Sequence, residues 1–155
     1  ETGGVGDHLR EAGREYGTTT GRARRCGWFD AVAGRYAVRL NGLDALAVTK
    51  FDVLSGLDEV RIAVAYDIDG ERTEHPPALS EDWERATPVY ETMPGWTLPR
   101  PARSIDQLPP AARAYMDRVA ELTGSPVALV SVGPDRRETL VVAPDLIPGL
   151  EAAGA

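Results

Sequence analysis

The stretch LAVTKFDVL, residues 46–54, starts as an apolar run and then carries two charged side chains two positions apart. Leu46–Val48 is a short apolar segment, which predicts a fully buried strand. Lys50 and Asp52 follow directly, and Lys50 is the only lysine among the 17 basic residues of the chain. A strand that ends in charged groups is typical of a ligand site in an α/β sheet, although one lysine can also persist by chance in an arginine-rich composition.

Length and composition indicate one globular domain. The chain has 155 residues, of which 43% are hydrophobic and 26% are charged. These values are typical of a soluble protein that buries roughly two thirds of its unfolded surface. No apolar run approaches the roughly 20 residues that a membrane span needs. A net charge of −7 argues against a general nucleic-acid binder, which requires a basic face.

The amino terminus and the cysteine content favour a cytoplasmic protein. The first residues, ETGGVGDHLREAG, lack the basic and apolar layout of a signal peptide. Cys26 is the only cysteine, so an internal disulfide is excluded and a reducing compartment is suitable. Its neighbour Arg25 favours thiolate formation, but a structural thiol is the simpler interpretation.

The alternation of strand and helix patterns predicts an α/β fold. We expect helices over residues 7–12, 28–40 and 110–123, the last with an apolar face of Ala112, Tyr115, Met116, Val119 and Leu122. Asn41-Gly42 and Gly124 are expected helix ends. Strands are expected over 46–48, 60–66, 127–130 and 139–142, with a hairpin turn at Asp69-Gly70. Residues 75–103 are predicted to form an extended surface excursion, that is, a segment without regular secondary structure that packs on the rest of the domain through residues 88–96. Residues 144–155 are predicted to be a frayed tail.

The Thr-Lys-Phe-Asp motif after the first strand fits the recognition of guanine. A carboxylate at Asp52 can accept hydrogen bonds from both N1–H and the exocyclic amine, which separates guanine from adenine. The aliphatic stem of Lys50 can lie across the base while its ammonium stays in water. This motif is similar to the base-reading motif of GTP-binding proteins. The alternative is an ordinary ion pair at a strand end.

Two further loops carry groups that suit a ligand. The loop GTTTGRARR, residues 17–25, concentrates arginines, threonine hydroxyls and glycines, which suits a small dianion such as a dicarboxylate. The alternative is a solvated basic turn. SVGPDR, residues 131–136, follows a strand as the TKFD motif does, and its backbone suits a wall against a planar ring. The alternative there is a purely structural turn. The sequence shows no glycine-rich phosphate loop that ends in Gly-Lys-Ser or Gly-Lys-Thr, and no zinc-type cluster of cysteines and histidines.

Taken in order, the segments resemble the carboxy-terminal portion of the adenylosuccinate synthetase family. They are GTTTGRARRCGWFDAV, LNGLDALAVTKFDVLSGLDEV, VAYDIDG, PVYETMPGW, LPPAARAYMDRVAELTG and VSVGPDRRET. The resemblance extends to about residue 142. It implies that residues 1–143 are one segment of a single domain and that 144–155 are a flexible tail. It also implies a mixed, mostly parallel sheet with flanking helices, similar to P-loop NTPases and lacking its amino-terminal strands.

The resemblance implies an activity. Enzymes of this family condense IMP with L-aspartate to adenylosuccinate in purine nucleotide biosynthesis. They use GTP as co-substrate and require Mg²⁺, and they are cytoplasmic homodimers. GTP first phosphorylates the 6-oxygen of IMP, and the amine of aspartate then displaces that phosphate.

The resemblance also assigns residues. The aspartate and IMP side would be bound by the loop residues Thr18, Thr19, Thr20, Gly21, Arg22 and Arg24. Ala23 stands where the family often has a basic residue, so it receives no role. The guanine end of GTP would be bound by Arg24, Lys50, Phe51, Asp52, Ser131, Val132 and Gly133. No catalytic residue and no metal ligand is assigned within this chain.

The family's phosphate loop, its catalytic aspartate and histidine and its Mg²⁺ ligands belong to an amino-terminal part that this sequence does not include. We therefore expect a segment of a ligase. The alternatives are a truncated module that binds guanine nucleotide or a dicarboxylate without catalysis, and a structural remnant without a ligand.

The isolated chain is accordingly expected to be inactive. Incubated with GTP, IMP, L-aspartate and Mg²⁺, it should form no adenylosuccinate, because the groups that bind the transferred phosphate are absent. Chromatography of the reaction mixture checks this, and any adenylosuccinate above a protein-free blank would contradict it.

Overall fold

The computed structural model describes residues 4–147, which form four α-helices and seven strands. The helices are α1 (Val5–Gly13), α2 (Ala31–Asn41), α3 (Ser80–Arg85) and α4 (Pro110–Thr123). The strands are β1 (Phe29–Asp30), β2 (Leu46–Val48), β3 (Glu59–Ile68), β4 (Glu71–Thr73), β5 (Thr87–Pro94), β6 (Val127–Ser131) and β7 (Thr139–Val141). Short 3₁₀ turns occupy Phe51–Leu54, Ile105–Gln107, Arg136–Glu138 and Pro144–Leu146.

The strands form two mixed sheets, which confirms the α/β class. In the first sheet β3 pairs in parallel with β1 and antiparallel with β4 and β5. In the second sheet β6 pairs in parallel with β2 and antiparallel with β7. Within residues 4–147 the parallel share is thus smaller than expected, because the hairpin at Asp69-Gly70 and the returning strand β5 both give antiparallel neighbours.

The parallel pairing of β2 with β6 decides where the two candidate loops lie. Val48 is opposite Val130, so residues 49–52 and 131–136 leave the sheet at the same edge. The strand β2 is less buried than predicted, since Leu46 and Val48 are only partly covered and Ala47 is exposed. The reason is its position: within the described part of the chain it pairs with β6 alone.

The first long helix begins later than its apolar spacing predicted. Trp28 precedes it and Phe29 lies in β1, while α2 starts at Ala31. The carboxylate of Asp30 accepts a hydrogen bond from the backbone N–H of Ala33 at 3.0 Å, which is a helix N-cap. The predicted end is confirmed, because Gly42 adopts a left-handed φ of 60°.

The prediction of a surface excursion over residues 75–103 is wrong in its middle. That segment contains α3 and then β5, which pairs with β3 over most of its length. Prolines hid the strand, but Pro88 and Pro94 lie near its two ends, where a missing N–H is tolerated. The predicted packing of this segment on the body is confirmed, since Trp96 is buried.

An aromatic cluster joins the second half of the chain to the first. Phe51 is 1% exposed, and its ring stacks on that of Trp96 with centroids 5.0 Å apart. Tyr115 of α4 packs against both rings. The predicted apolar face of α4 is buried throughout, and Gly124 ends that helix with a φ of 74°.

The remaining predictions concern the chain's ends and one turn. The helix expected over 7–12 is α1, and Asp69 and Gly70 have the positive φ values of the predicted hairpin turn. Residues 144–146 of the predicted tail form a 3₁₀ turn, and residues 148–155 lie outside the described part. None of the helices within residues 4–147 has both the length and the apolar composition that a membrane span requires.

Replacement of Gly95 by alanine should destabilise the protein that carries this chain. An added Cβ would lie 1.8 Å from the carbonyl oxygen of Leu57, so the bend after β5 must open. We expect a loss of about 3 kcal/mol in the free energy of unfolding. Denaturant titration measures it against Gly70→Ala, which meets no atom within 4 Å and should lose only about 1–2 kcal/mol through its positive φ. A smaller loss at Gly95 than at Gly70 would contradict this packing.

Candidate functional site

The turn after β2 holds Lys50 and Asp52 at the edge of the sheet. Lys50 has a φ of 57°, a left-handed conformation that is uncommon for a residue with a side chain, and it precedes the 3₁₀ turn Phe51–Leu54. The buried ring of Phe51 anchors this turn in the core. The charged residues on either side of it therefore project from a fixed backbone.

The loop after β6 is held by hydrogen bonds of its own. Ser131 Oγ donates to the carbonyl oxygen of Gly133 at 2.9 Å, and the Val132 N–H donates to the carbonyl oxygen of Glu138 at 2.8 Å. Asp135 and Glu138 cap the following 3₁₀ turn reciprocally. A Cβ at Gly133 would lie 2.4 Å from the Glu138 carboxyl group, so a side chain here would displace that carboxyl group from its cap.

A cavity of about 350 Å³ lies between these two loops. Lys50, Asp52 and Gly133 all line it, so the structure brings together residues that the sequence places about 80 positions apart. Pro134, from the expected loop of residues 131–136, lines it as well, and so does Arg100, which was not expected from the sequence. Other expected residues contribute differently. The side chain of Phe51 serves the core, Val132 is buried, and neither Val132 nor Ser131 lines this cavity.

The threonine-arginine loop, defined here as residues 17–25, is closed by its own backbone. The Gly17 N–H donates to the Arg22 carbonyl oxygen at 2.8 Å, and the Gly21 N–H donates to the Gly17 carbonyl oxygen at 2.8 Å. Thr20 Oγ1 accepts from the Arg22 N–H at 3.3 Å. An open cavity of about 790 Å³ adjoins the loop, lined by Gly17, Thr20, Arg22, Ala23, Arg24 and Arg25. Thr18 and Thr19 are exposed and do not line it.

Glu15 links this loop to the turn after β2. Its carboxylate accepts a hydrogen bond from Arg24 Nη1 at 3.0 Å and another from Lys50 Nζ. Lys50 Nζ also donates to the carbonyl oxygen of Gly13 at 2.6 Å. The Lys50 ammonium, followed by Arg24, holds the pKa of Glu15 below its usual range. The sequence carried no signal for Glu15, because a single acid before a basic loop is unremarkable.

A third, mainly apolar cavity of about 400 Å³ lies behind these charged groups. Trp28, Phe29 and Val48 line it from the two sheets, and Tyr115 lines it from α4. Burial raises the pKa of the Tyr115 hydroxyl, so this phenol stays neutral at physiological pH. Among the described residues β1 pairs only with β3 and β2 only with β6, so this cavity lies beside two strand edges.

No metal site is formed by residues 4–147. Nowhere among them do three His, Cys, Asp or Glu side chains come together as possible ligands.

Comparison with known proteins places these loops in a family. The sequence model for adenylosuccinate synthetase matches residues 1–140. The chain belongs to the adenylosuccinate synthetase family. It is 56% identical over 139 residues to adenylosuccinate synthetase of Thermosynechococcus vestitus and 55% identical over 139 residues to that of Picosynechococcus sp.. Each alignment covers 89% of this chain but 31% of the relative, so the chain spans about a third of the length of its curated relatives.

A solved structure agrees with this assignment. The fully ligated adenylosuccinate synthetase from Plasmodium falciparum superposes with a TM-score of 0.86 at 37% sequence identity. The match covers 92% of this chain and 35% of that one. The fold of the adenylosuccinate synthetase segment, with its flanking helices and mixed sheets, is therefore shared with that protein.

The ion pairs of Glu15 should make stability depend on pH in one direction. Because its folded pKa is depressed, Glu15 stabilises the folded state above its unfolded pKa of about 4.5, and the stabilisation is lost as pH falls through the folded pKa. Glu15→Gln should therefore cost less than about 1 kcal/mol at neutral pH and nothing in acid. Thermal unfolding of both proteins across this pH range measures the difference. A difference that stays constant into acid would contradict the paired carboxylate.

Proposed function

We propose that the protein carrying this chain is a GTP-dependent ligase that condenses IMP with L-aspartate to adenylosuccinate in purine nucleotide biosynthesis. The observation that carries the proposal is the cavity at which the loops after β2 and β6 meet, in a chain of the adenylosuccinate synthetase family. This chain supplies the guanine-binding pocket and the aspartate loop.

The guanine base is proposed to lie in the cavity of about 350 Å³ between the two loops. Asp52 is half-buried there and accepts hydrogen bonds from N1–H and the exocyclic amine. The stem of Lys50 covers one face of the base while its ammonium is held by Gly13 and Glu15. The absence of a Cβ at Gly133 lets the backbone approach the ring, and Ser131 and Val132 shape that wall from behind.

L-Aspartate is proposed to bind beside the threonine-arginine loop. The substrate is a dicarboxylate, and Arg22 and Arg24 both line the cavity at this loop. Guanidinium groups bind carboxylates through paired hydrogen bonds. Thr20 lines the same cavity, whereas the exposed Thr18 and Thr19 reach a ligand only if the loop folds over it. Gly21, with a φ of 64°, gives the loop its tight turn.

The arginines also suit the chemistry of the reaction. Transfer of a phosphoryl group from GTP to the 6-oxygen of IMP spreads negative charge over the transferred group, and nearby guanidinium groups stabilise such charge. Arg24 lines the cavity at the threonine-arginine loop and the apolar cavity that Lys50 also lines, and it shares the carboxylate of Glu15 with Lys50. It is the residue best placed to serve both substrates.

Mg²⁺ is proposed to accompany GTP in the whole protein. Within residues 4–147 no three His, Cys, Asp or Glu side chains come together as ligands for the ion. We also propose a cytoplasmic homodimer, on the basis of the family alone.

Asp52→Asn in the whole protein should impair the use of GTP and favour xanthosine triphosphate. An amide can donate to the extra carbonyl of xanthine but leaves one guanine donor unpaired. We expect the KM for GTP to rise about 100-fold, with relaxed base choice. Steady-state kinetics with both nucleotides measure this, and Asp58→Asn, an exposed site away from the pocket, is the matched control. If the variant kept the wild-type KM for GTP and the wild-type base choice, the result would contradict a role of Asp52 in guanine recognition and leave only a charged group at a strand end.

Arg22→Leu should mainly weaken the use of L-aspartate. The change removes a charged partner of the substrate carboxylates, so the KM for aspartate should rise about tenfold or more while the KM for GTP stays within about twofold. Arg72→Leu, on the exposed strand β4, is the matched control. If Arg22→Leu kept the wild-type KM for aspartate, the result would contradict the proposed contact between Arg22 and this substrate.

A further inference from the structure

Glu15 occupies a position that neither candidate loop explains by itself. It lies between the end of α1 and the threonine-arginine loop, and its side chain is 19% exposed. Arg24, on that loop, and Lys50, in the turn after β2, both donate to its carboxylate. One anion thus joins the two cations that face the two proposed substrates.

The backbone around Glu15 is held on both sides. Its N–H donates to the carbonyl oxygen of Arg10 at the end of α1, at 2.8 Å. Its own carbonyl oxygen accepts from the Arg24 N–H at 2.9 Å, beside the bridge between Tyr16 and Ala23. The carboxylate therefore starts from a fixed point, whereas the Arg24 and Lys50 side chains are 59% and 49% exposed, and Lys50 has a second acceptor in the Gly13 carbonyl oxygen.

The two ion pairs restrict these side chains together. Long cationic side chains lose rotamer entropy when a ligand orders them. Because Arg24 and Lys50 share Glu15 as a partner, the entropy of ordering this carboxylate is lost only once when both side chains are ordered. A ligand that fixes the Lys50 stem also fixes the carboxylate that Arg24 contacts. Two binding events that order the same group favour each other.

We propose that Glu15 is a positioning residue that couples guanine-nucleotide binding to aspartate binding. The inference rests on the proposed function, because the guanine nucleotide and L-aspartate are the ligands assigned there. Nucleotide seated against Lys50 fixes Glu15 and thereby presents Arg24 to the dicarboxylate. By thermodynamic linkage, aspartate bound at Arg24 tightens the nucleotide by the same factor.

The test measures this factor directly in the whole protein. GDP, which avoids turnover, is titrated in the presence of IMP with and without saturating L-aspartate, and the two dissociation constants are compared. In the wild type we expect GDP to bind at least about fivefold more tightly when aspartate is present. In Glu15→Gln, which keeps the shape and removes the charge, the ratio should fall to about one.

Two further variants separate coupling from stability. Glu59→Gln removes an exposed carboxylate paired with Arg61 on β3, away from these loops, and should keep the wild-type ratio. Glu15→Asp keeps the charge on a shorter stem and should restore part of the ratio. The midpoint of thermal unfolding is measured for every variant, so that the dissociation constants are compared only between folded proteins.

The outcomes discriminate between the two proposals. A wild-type protein that does not bind GDP would overturn the proposed function, and the coupling with it. GDP binding that is equally tight with and without aspartate would overturn the coupling alone. A Glu15→Gln protein that keeps the wild-type ratio would likewise overturn it and leave Glu15 as a structural ion pair.

Discussion

The parallel pairing of β2 with β6 is the constraint on which the rest of the site depends. Parallel strands place their carboxyl ends at one edge of a sheet, so the loops after Val48 and Val130 must meet. Each loop contributes what the other lacks. The first contributes charge through Lys50 and Asp52, and the second contributes a backbone wall at Gly133. Without this pairing the two motifs would be unrelated turns.

The aromatic cluster converts this pairing into a fixed geometry. Phe51 stands between the two charged residues of its motif, yet its ring is buried against Trp96 and Tyr115. Burial of a large aromatic side chain contributes several kcal/mol, which is enough to hold Lys50 in its left-handed conformation. The core therefore positions the two polar residues through the apolar one between them.

The charged groups form a second layer on this frame. Exposed ion pairs contribute little to stability one at a time, so the contacts of Glu15 are better understood through what they orient. Arg24 and Lys50 lie on elements that are far apart in sequence, and one carboxylate fixes the relation between them. In the proposed function, this carboxylate would link the residue that contacts the nucleotide to the residue that contacts the dicarboxylate.

The sequence by itself determined the helices with strong periodicity, the hairpin turn, the α/β class and, through the ordered segments, the family. Local signals suffice for these features, as the buried face of α4 shows. Tertiary structure decided the start of α2, where the cap at Asp30 outweighs the apolar spacing, and the pairing of proline-bounded β5 with β3. It alone also revealed Glu15 and Arg100 at the cavities. The reason is physical: periodicity reports which face of an element is buried, whereas a site forms where several elements meet. The distance between Glu15 and Lys50 is set by the packing of α1 and two loops rather than by any local pattern.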